Sequence, residues 1–481
     1  MLSRASRLLC LSTLAIAATP AAHAAQLLAI GTLNDPIDLS GLTDTLESGV
    51  GNNVLGGIGS ALAWAGGNTF IATPDRGPNA VTYTGGTPID QTTSYISRFQ
   101  TVTMSLTPSG SGLPFALTPT LSATTLLWSD TPLNYGTTAG VQSGTPVANT
   151  AGKYYFTGRS DGFAGTGSTN PADARLDPEG ARVSPNGDYV YISDEYGPYV
   201  YKFDRQTGLR VQSYALPGNL AVNTLNSVGA TETASNTAGR VTNKGMEGLA
   251  ITPDGKTLVG IMQAPLIQDA AVNATKKMLR LVTIDVATGV THEYAYTLTT
   301  GSGVSEIIAL NDHEFLIDER DGNGRLGGNN NTSNAAVVKT LFKIDITGAQ
   351  ELLSTDTPAQ MAAKSIAKTQ FLDMVGLLTG AGIAANNIPS KIEGIAFGDD
   401  VMVGSTLMHT LWIANDNDFV PTTSDILPLA NPNQFFVVGF TSADLGTSVF
   451  ATEQVPEPAT MALLGFGIAG LATLRRRSPQ A

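Results

Sequence analysis

Short runs of aliphatic, aromatic and β-branched residues recur along the chain, bounded by Gly, Pro, Asn or Asp and flanked by acidic residues. The clearest is DPEGARVSPNGDYVYISDEYGP, residues 177–198. There Glu179-Gly180 leads into a brief apolar strand, Ser184-Pro185-Asn186-Gly187-Asp188 supplies a turn, and residues 189–193 return as a second strand ending in Asp194-Glu195. An Asn-Gly step between two such runs is a strong hairpin signal, because the tight turn needs backbone conformations that Asn and Gly adopt readily. The pattern predicts a hairpin with both acidic clusters at one end.

Approximate copies follow. Residues 246–265 carry Glu247-Gly248, a Pro253-Asp254-Gly255 turn and a return strand; residues 305–322 open on Glu306 and close on Asp318-Glu319-Arg320-Asp321. Residues 392–419 run from Glu393-Gly394 to Asp416-Asn417-Asp418, and residues 56–78 align with Ser60 in place of Glu and close on Asp75-Arg76-Gly77-Pro78. A repeat of roughly 40 to 90 residues made of strands and turns predicts an all-β fold, a β-propeller whose blades carry long insertions. Five units are visible, and the spacing between Tyr95 and Thr157 leaves room for a sixth, so six blades are expected. Equivalent positions of a propeller converge on its axis. The acidic ends Glu179, Asp194, Glu195, Glu247, Glu306, Glu319, Asp321, Glu393, Asp416 and Asp418 are therefore expected at one mouth of the channel, where they repel one another unless cations neutralise them.

Other elements are fewer. Residues 26–30 form a strand candidate that would complete a blade with one near 435–440, and residues 79–150 read as long loops with a few strands. Thr357-Pro358 followed by good helix formers predicts one helix over about 358–378, inserted between blades. With 52 Gly, 25 Pro and only 14% charged residues among 481, the composition suits a large, turn-rich exported β domain. A net charge of −13 argues against a nucleic-acid partner.

The termini look like targeting segments. In residues 1–24, Arg4 and Arg7 precede an apolar run and an Ala22-His23-Ala24 cleavage site, the pattern of a secretory signal peptide. The only cysteine, Cys10, lies inside it, so the mature domain, residues 25–453, has no disulfide or thiolate metal site. Residues 454–481 join Val455-Pro456-Glu457-Pro458 to an apolar stretch, 459–474, and Arg475-Arg476-Arg477. This tail resembles the PEP-CTERM sorting signal of Gram-negative bacteria. The resemblance implies recognition by an exosortase, transient anchoring in the inner membrane through a C-terminal transmembrane helix with the arginines in the cytoplasm, and release toward the cell surface or extracellular matrix.

The repeated units, with NKGMEGLAITPDGKTLVGIMQAPL, the KIEGIAF and LWIANDNDF pair and TPDRGPN, resemble the phytase-like esterase family of secreted β-propellers over roughly residues 26–445. That resemblance implies hydrolysis of phosphate esters; Ser60 departs from the Glu of the other units. Independently, carboxylates are hard oxygen ligands suited to Ca²⁺, and such an ion polarises phosphoryl oxygens and activates water. The candidate metal ligands are Glu179, Asp194, Glu195, Glu247, Glu306, Glu319, Glu393 and Asp416, with Glu179 and Glu195 as catalytic carboxylates. Arg76, Lys244, Arg320 and Lys391 lie beside the same motifs as candidates for binding a substrate phosphate, with Arg175 also close to one.

Competing patterns are weaker. Ser160 fits a Gly-x-Ser-x-Gly spacing without the helix that a nucleophile elbow needs. Ser365 and Lys368 share a spacing that arises by chance on a helix, and His292, His313 and His409 are too scattered for a zinc hydrolase. Asp321-Gly322-Asn323-Gly324 lacks the closing Glu of a calcium loop. The expected function is an exported, calcium-dependent phosphoesterase acting on a small phosphoester. The alternatives are a non-catalytic, calcium-stabilised propeller associated with surface polysaccharide, and a calcium-dependent lactonase.

Overall fold

The computed structural model describes residues 25–84, 87–136, 144–159, 167–271, 277–451 and 455. The signal segment, Ser160 and the apolar tail helix lie outside the described residues, among which no helix is long and apolar enough to cross a membrane.

Five four-stranded antiparallel sheets make up the domain, and they are the blades of a propeller. Blade one holds Ala61–Trp64, Thr69–Thr73, Arg98–Pro108 and Phe115–Leu126; blade two holds Pro178–Val183, Tyr189–Asp194, Tyr199–Asp204 and Arg210–Ala215. Blade three holds Met246–Ile251, Thr257–Met262, Met278–Asp285 and Thr291–Thr297; blade four holds Gly303–Ala309, Glu314–Arg320, Lys339–Asp345 and Lys368–Asp373. Blade five joins Lys391–Val403, Thr406–Asp416 and Asn433–Phe440 to the N-terminal strand Gln26–Leu33. The last pairing runs antiparallel, with Gln26 opposite Gly439 and Ile30 opposite Phe436, so the two ends of the chain close the ring as expected.

The innermost strands of the five blades contact one another in sequence and return to blade one. Between each pair of blades lies an apolar layer. Phe99 and Ile71 of blade one meet Tyr201 and Val190 of blade two. Phe70 of blade one packs on Trp412 of blade five with ring centroids 4.7 Å apart. Each sheet is thus covered on both faces, which explains why the inner strands read as continuous apolar runs rather than alternating ones. The Glu-Gly pairs have a steric cause. A Cβ on Gly180 would lie 2.5 Å from Leu249 N, one on Gly248 2.7 Å from Ile307 N, and one on Gly394 2.7 Å from Leu62 N, because the next blade's inner strand passes against that residue. Glycine is what lets the axis close.

Two expectations are corrected. The described residues form five blades, not six. Among the described residues, the segment between Tyr95 and Thr157 supplies the outer half of blade one, since Arg98–Pro108 pairs with Thr69–Thr73, and adds a short ladder between Trp128–Ser129 and Tyr154–Tyr155 with a few isolated bridges. The single helix expected over 358–378 is divided. Thr357 caps Pro358–Ala363 with its side chain accepting from Gln360 N, but Lys368–Asp373 pairs with residues 340–344 as the outer strand of blade four, and a short helix, Met374–Gly380, follows. Ladder pairing at a blade edge that needed a fourth strand outweighs the helix propensity of that stretch.

Candidate metal centre

At the start of the inner strands of blades two to five the ladder is irregular. The register shifts between Pro178 and Ala181, Met246 and Gly248, Val304 and Glu306, and Ile392 and Ile395. Such bulges re-aim a side chain. In blades two, three and five the residue at this position is Glu179, Glu247 or Glu393, all buried and turned into one mouth of the channel. The second strands end at the same mouth and add Glu195 and Asp416, while the turns beside them add Asp75, Asp177 and Asp418.

The ligand oxygens fall into three overlapping groups, Asp75 with Asp416 and Asp418, Asp75 with Asp177 and Glu179, and Glu179 with Glu195 and Glu247. Within each group one oxygen from every residue lies within 4.8 Å of the others, which is about twice a Ca²⁺–oxygen bond length. Three cations stand among them, Arg76 buried and Arg320 and Lys391 half-buried. Arg76 donates its backbone N–H to Asp177 at 2.8 Å and places Nη1 3.2 Å from the same carboxylate. Lys391 Nζ lies 2.5 Å from Asp416 and 2.6 Å from Asp418, and Arg320 bridges Glu247, at 3.3 Å, and Glu393.

These cations do not satisfy the cluster. Glu195 accepts from Gly245 N at 2.9 Å through Oε1, and Glu247 accepts from Gln263 Nε2 at 2.6 Å through Oε1. The buried Oε2 atoms of Glu195, Glu247 and Glu393 find no hydrogen-bond donor among the described residues. Electrostatics follow. Burial and the neighbouring Glu247 push Glu195 up to about 8, burial and Glu393 push Glu247 up to about 8, and burial and Glu195 hold Asp177 at about 7 despite Arg76. Burial and Asp177 likewise raise Asp75 to about 7, and burial with Glu247 raises Glu179 well above the carboxylate range. Burial raises Asp416 even against Lys391, whereas for Asp418 burial is outweighed by Lys391 together with Asp416 and Arg76, which lower it. Orphaned, mutually repelling carboxylate oxygens fit a hard divalent cation such as Ca²⁺. His292, His313 and His409 pair instead with Glu351, Asp345 and Asp400, away from this mouth.

Not every residue expected at the mouth is there. Glu306 sits one position out of register, in the place of Gly180, Gly248 and Gly394, with Ser305 in the place of the glutamates. It accepts from Leu249 N of the neighbouring blade at 3.0 Å and lies 3.1 Å from Arg182 Nη2. Arg182 also donates to Leu62 O at 2.9 Å and Ile307 O at 2.8 Å, so one buried pair stitches blades one to four together. Arg182→Met should leave an uncompensated buried carboxylate and cost about 3–5 kcal/mol. Arg182→Met with Glu306→Gln should recover much of that loss in urea unfolding. Asp194 holds its own turn, accepting from Asp177 N, Tyr196 N and Gly197 N. Glu319 lies on the opposite face of its strand from Arg320 and accepts from Tyr296 Oη, Lys368 and the N–H groups of residues 299–301. Of the expected phosphate-binding residues, Arg76, Arg320 and Lys391 reach the cluster, whereas Lys244 is exposed on the turn before Gly245. Asp75 and Asp177 were not singled out as ligands by sequence reasoning; their positions at the head of Asp75-Arg76-Gly77-Pro78 and of Asp177-Pro178-Glu179-Gly180, at the ends of the repeated units, carried the signal.

Comparison with known proteins places these features. An uncharacterised secreted protein of Arthroderma benhamiae is 32% identical over 211 residues, and that match spans 37% of this chain and 39% of the relative's length. Among solved structures, the periplasmic gluconolactonase of Pseudomonas aeruginosa aligns over 79% of this chain and 88% of its own at 10% identity, with a TM-score of 0.30. The PQQ-bound aldose sugar dehydrogenase of Streptomyces coelicolor aligns over 85% and 97% at 10% identity, with a TM-score of 0.29. The tail, residues 454–477, matches the PEP-CTERM protein-sorting motif, a signal recognised by exosortase, and marks the chain as exported. A family model covers residues 53–419, from the first blade to the Asp416–Asp418 turn, and so the chain belongs to the phytase-like family, described as carrying the esterase-like activity of phytase.

Proposed function

We propose that this chain is an exported phosphoric-ester hydrolase that works with a divalent cation, calcium by the chemistry of its donors, held in the carboxylate mouth. The observation that carries the reading is the convergence of Glu179, Glu195 and Glu247, buried and lacking donors on two of their outer oxygens, beside the buried Arg76 and the half-buried Arg320 and Lys391. When bound, the ion supplies charge neutralisation for phosphoryl oxygens and acidifies a water. Glu179 and Glu247 would hold it, and the free Oε2 of Glu195 would accept the proton of that water. Arg76, Arg320 and Lys391 would bind and orient the anionic substrate, with Lys244 reaching from the rim. Glu306, Glu319 and Asp194 keep their structural partners in this scheme.

One observation favours a non-catalytic calcium site: Arg76, Arg320 and Lys391 each already contact a carboxylate. Assay of the exported chain, freed of ions by a chelator, against phosphomonoesters, phosphodiesters and lactones with and without millimolar Ca²⁺ separates the readings. Phosphate release that needs Ca²⁺ supports the hydrolase. Ring opening of lactones without phosphate release points to a lactonase, and a calcium-dependent rise in Tm with no turnover on any substrate points to a structural site.

A further inference from the structure

The outer group of Asp75, Asp416 and Asp418 and the inner group of Glu179, Glu195 and Glu247 satisfy the same distance criterion for a metal ion. They differ in what stands between the oxygens. In the outer group Lys391 Nζ lies 2.5 Å from Asp416 Oδ2 and 2.6 Å from Asp418 Oδ1. Its backbone is held in place as well, because Lys391 is the registered partner of Asp416 in the inner ladder of blade five. In the inner group neither Glu179 nor Glu195 makes a salt bridge among the described residues, and Oε2 of Glu195 and of Glu247 are buried without a donor. On the far side Arg320 spans Glu247 and Glu393. Lys391 and Arg320 thus stand at the two flanks and Arg76 on Asp177, while Glu179 and Glu195 carry no ion pair among the described residues.

We propose that Lys391 is a built-in substitute for a second metal ion, so that the mouth binds one divalent cation, held by Glu179 and Glu247 beside Glu195, and refuses another at Asp75, Asp416 and Asp418. This rests on the reading that the mouth binds a divalent ion at all. An ammonium is a compact point charge of the same sign as a metal ion, and it takes the oxygens that a second ion would need. A divalent cation entering the outer group must displace Nζ from two carboxylates and then stand beside it. The same lysine leaves the outer rim with a single positive charge on a 27% exposed side chain, suited to meeting an anionic substrate group.

The test is calcium stoichiometry of the exported chain, measured by equilibrium dialysis with elemental analysis, independently of turnover. Wild type is expected to bind one Ca²⁺ per chain. Lys391→Met, which keeps the stem and removes the charge, is expected to bind two, and Lys391→Met with Asp416→Asn to return to one. Lys391→Arg, which keeps a cation and guards against misfolding of the Met variant, is expected to stay at one. Two ions in wild type with no change in Lys391→Met, or one ion in both, would overturn the inference while leaving the metal reading standing. No bound ion in either protein would overturn the metal reading itself.

Discussion

Stripped of divalent ions, the protein is expected to lose stability steadily as the pH rises from about 5 to about 8, and Ca²⁺ is expected to abolish most of that loss. The carboxyls of the mouth have folded-state pKa values raised above their ordinary range, to about 7 for Asp75 and Asp177 and about 8 for Glu195 and Glu247, chiefly by burial and by one another's charge. A raised acid binds its proton more tightly in the folded than in the unfolded chain. Its stabilising contribution is complete below the unfolded value, about 4, and is lost as the pH climbs through the folded value. Because several such groups share one mouth, the loss should be on the order of several kcal/mol, a large part of a typical folding free energy. A bound cation reverses the balance by stabilising the ionised carboxylates. Melting curves across this range, in chelator and in millimolar Ca²⁺, check the expectation. A Tm in chelator that stays level or rises from pH 5 to 8 would contradict it.

Glu195→Gln is expected to keep the fold and lower turnover of a phosphate ester by about 10²–10⁴, the usual contribution of a positioned general base. The amide has the shape of the carboxyl it replaces, so Gly245 N keeps an acceptor at 2.9 Å while the free oxygen that would take the proton is gone. The same change removes one negative charge from the crowd, so the ion-free variant should melt higher than ion-free wild type and gain less from Ca²⁺. Arg76→Ala should act differently, raising KM more than it lowers kcat, because a residue that binds ground and transition states alike contributes mainly to affinity. Its role in holding Asp177 makes some loss of stability expected as well. Equal turnover in wild type and Glu195→Gln would remove that residue from the chemistry.

Much of this architecture was legible because it is written in local chemistry. The Ser184 to Asp188 turn forms where expected, with Gly187 at φ 77° and its N–H donating to Ser184 O at 2.7 Å. Glu179, Glu195, Glu247, Glu393 and Asp416 reach one mouth because equivalent strand ends of a propeller must converge. Glu306 escaped this logic. A shift of one residue in an inner strand exchanges the side chain at the mouth for one against the neighbouring blade, and residues 303–309, a fully apolar and buried strand around Ser305 and Glu306, have no flanking pattern that reveals the shift. Glu319 was misplaced for a related reason, since neighbours on a strand face opposite ways and only the pairing of Arg320 with Glu247 and Glu393 tells which face meets the axis.

By itself the sequence determined that the chain is an exported propeller of repeated hairpins with acidic ends, because turn residues, strand periodicity and targeting segments act through neighbours a few positions apart. Only the tertiary structure decided that there are five blades, that residues 368–373 close blade four as a strand, and that Lys391 and Arg320 flank a centre left to Glu179, Glu195 and Glu247. Those outcomes depend on which strand lies beside which across hundreds of residues, and there ladder pairing and the packing of one blade on the next outweigh local preference.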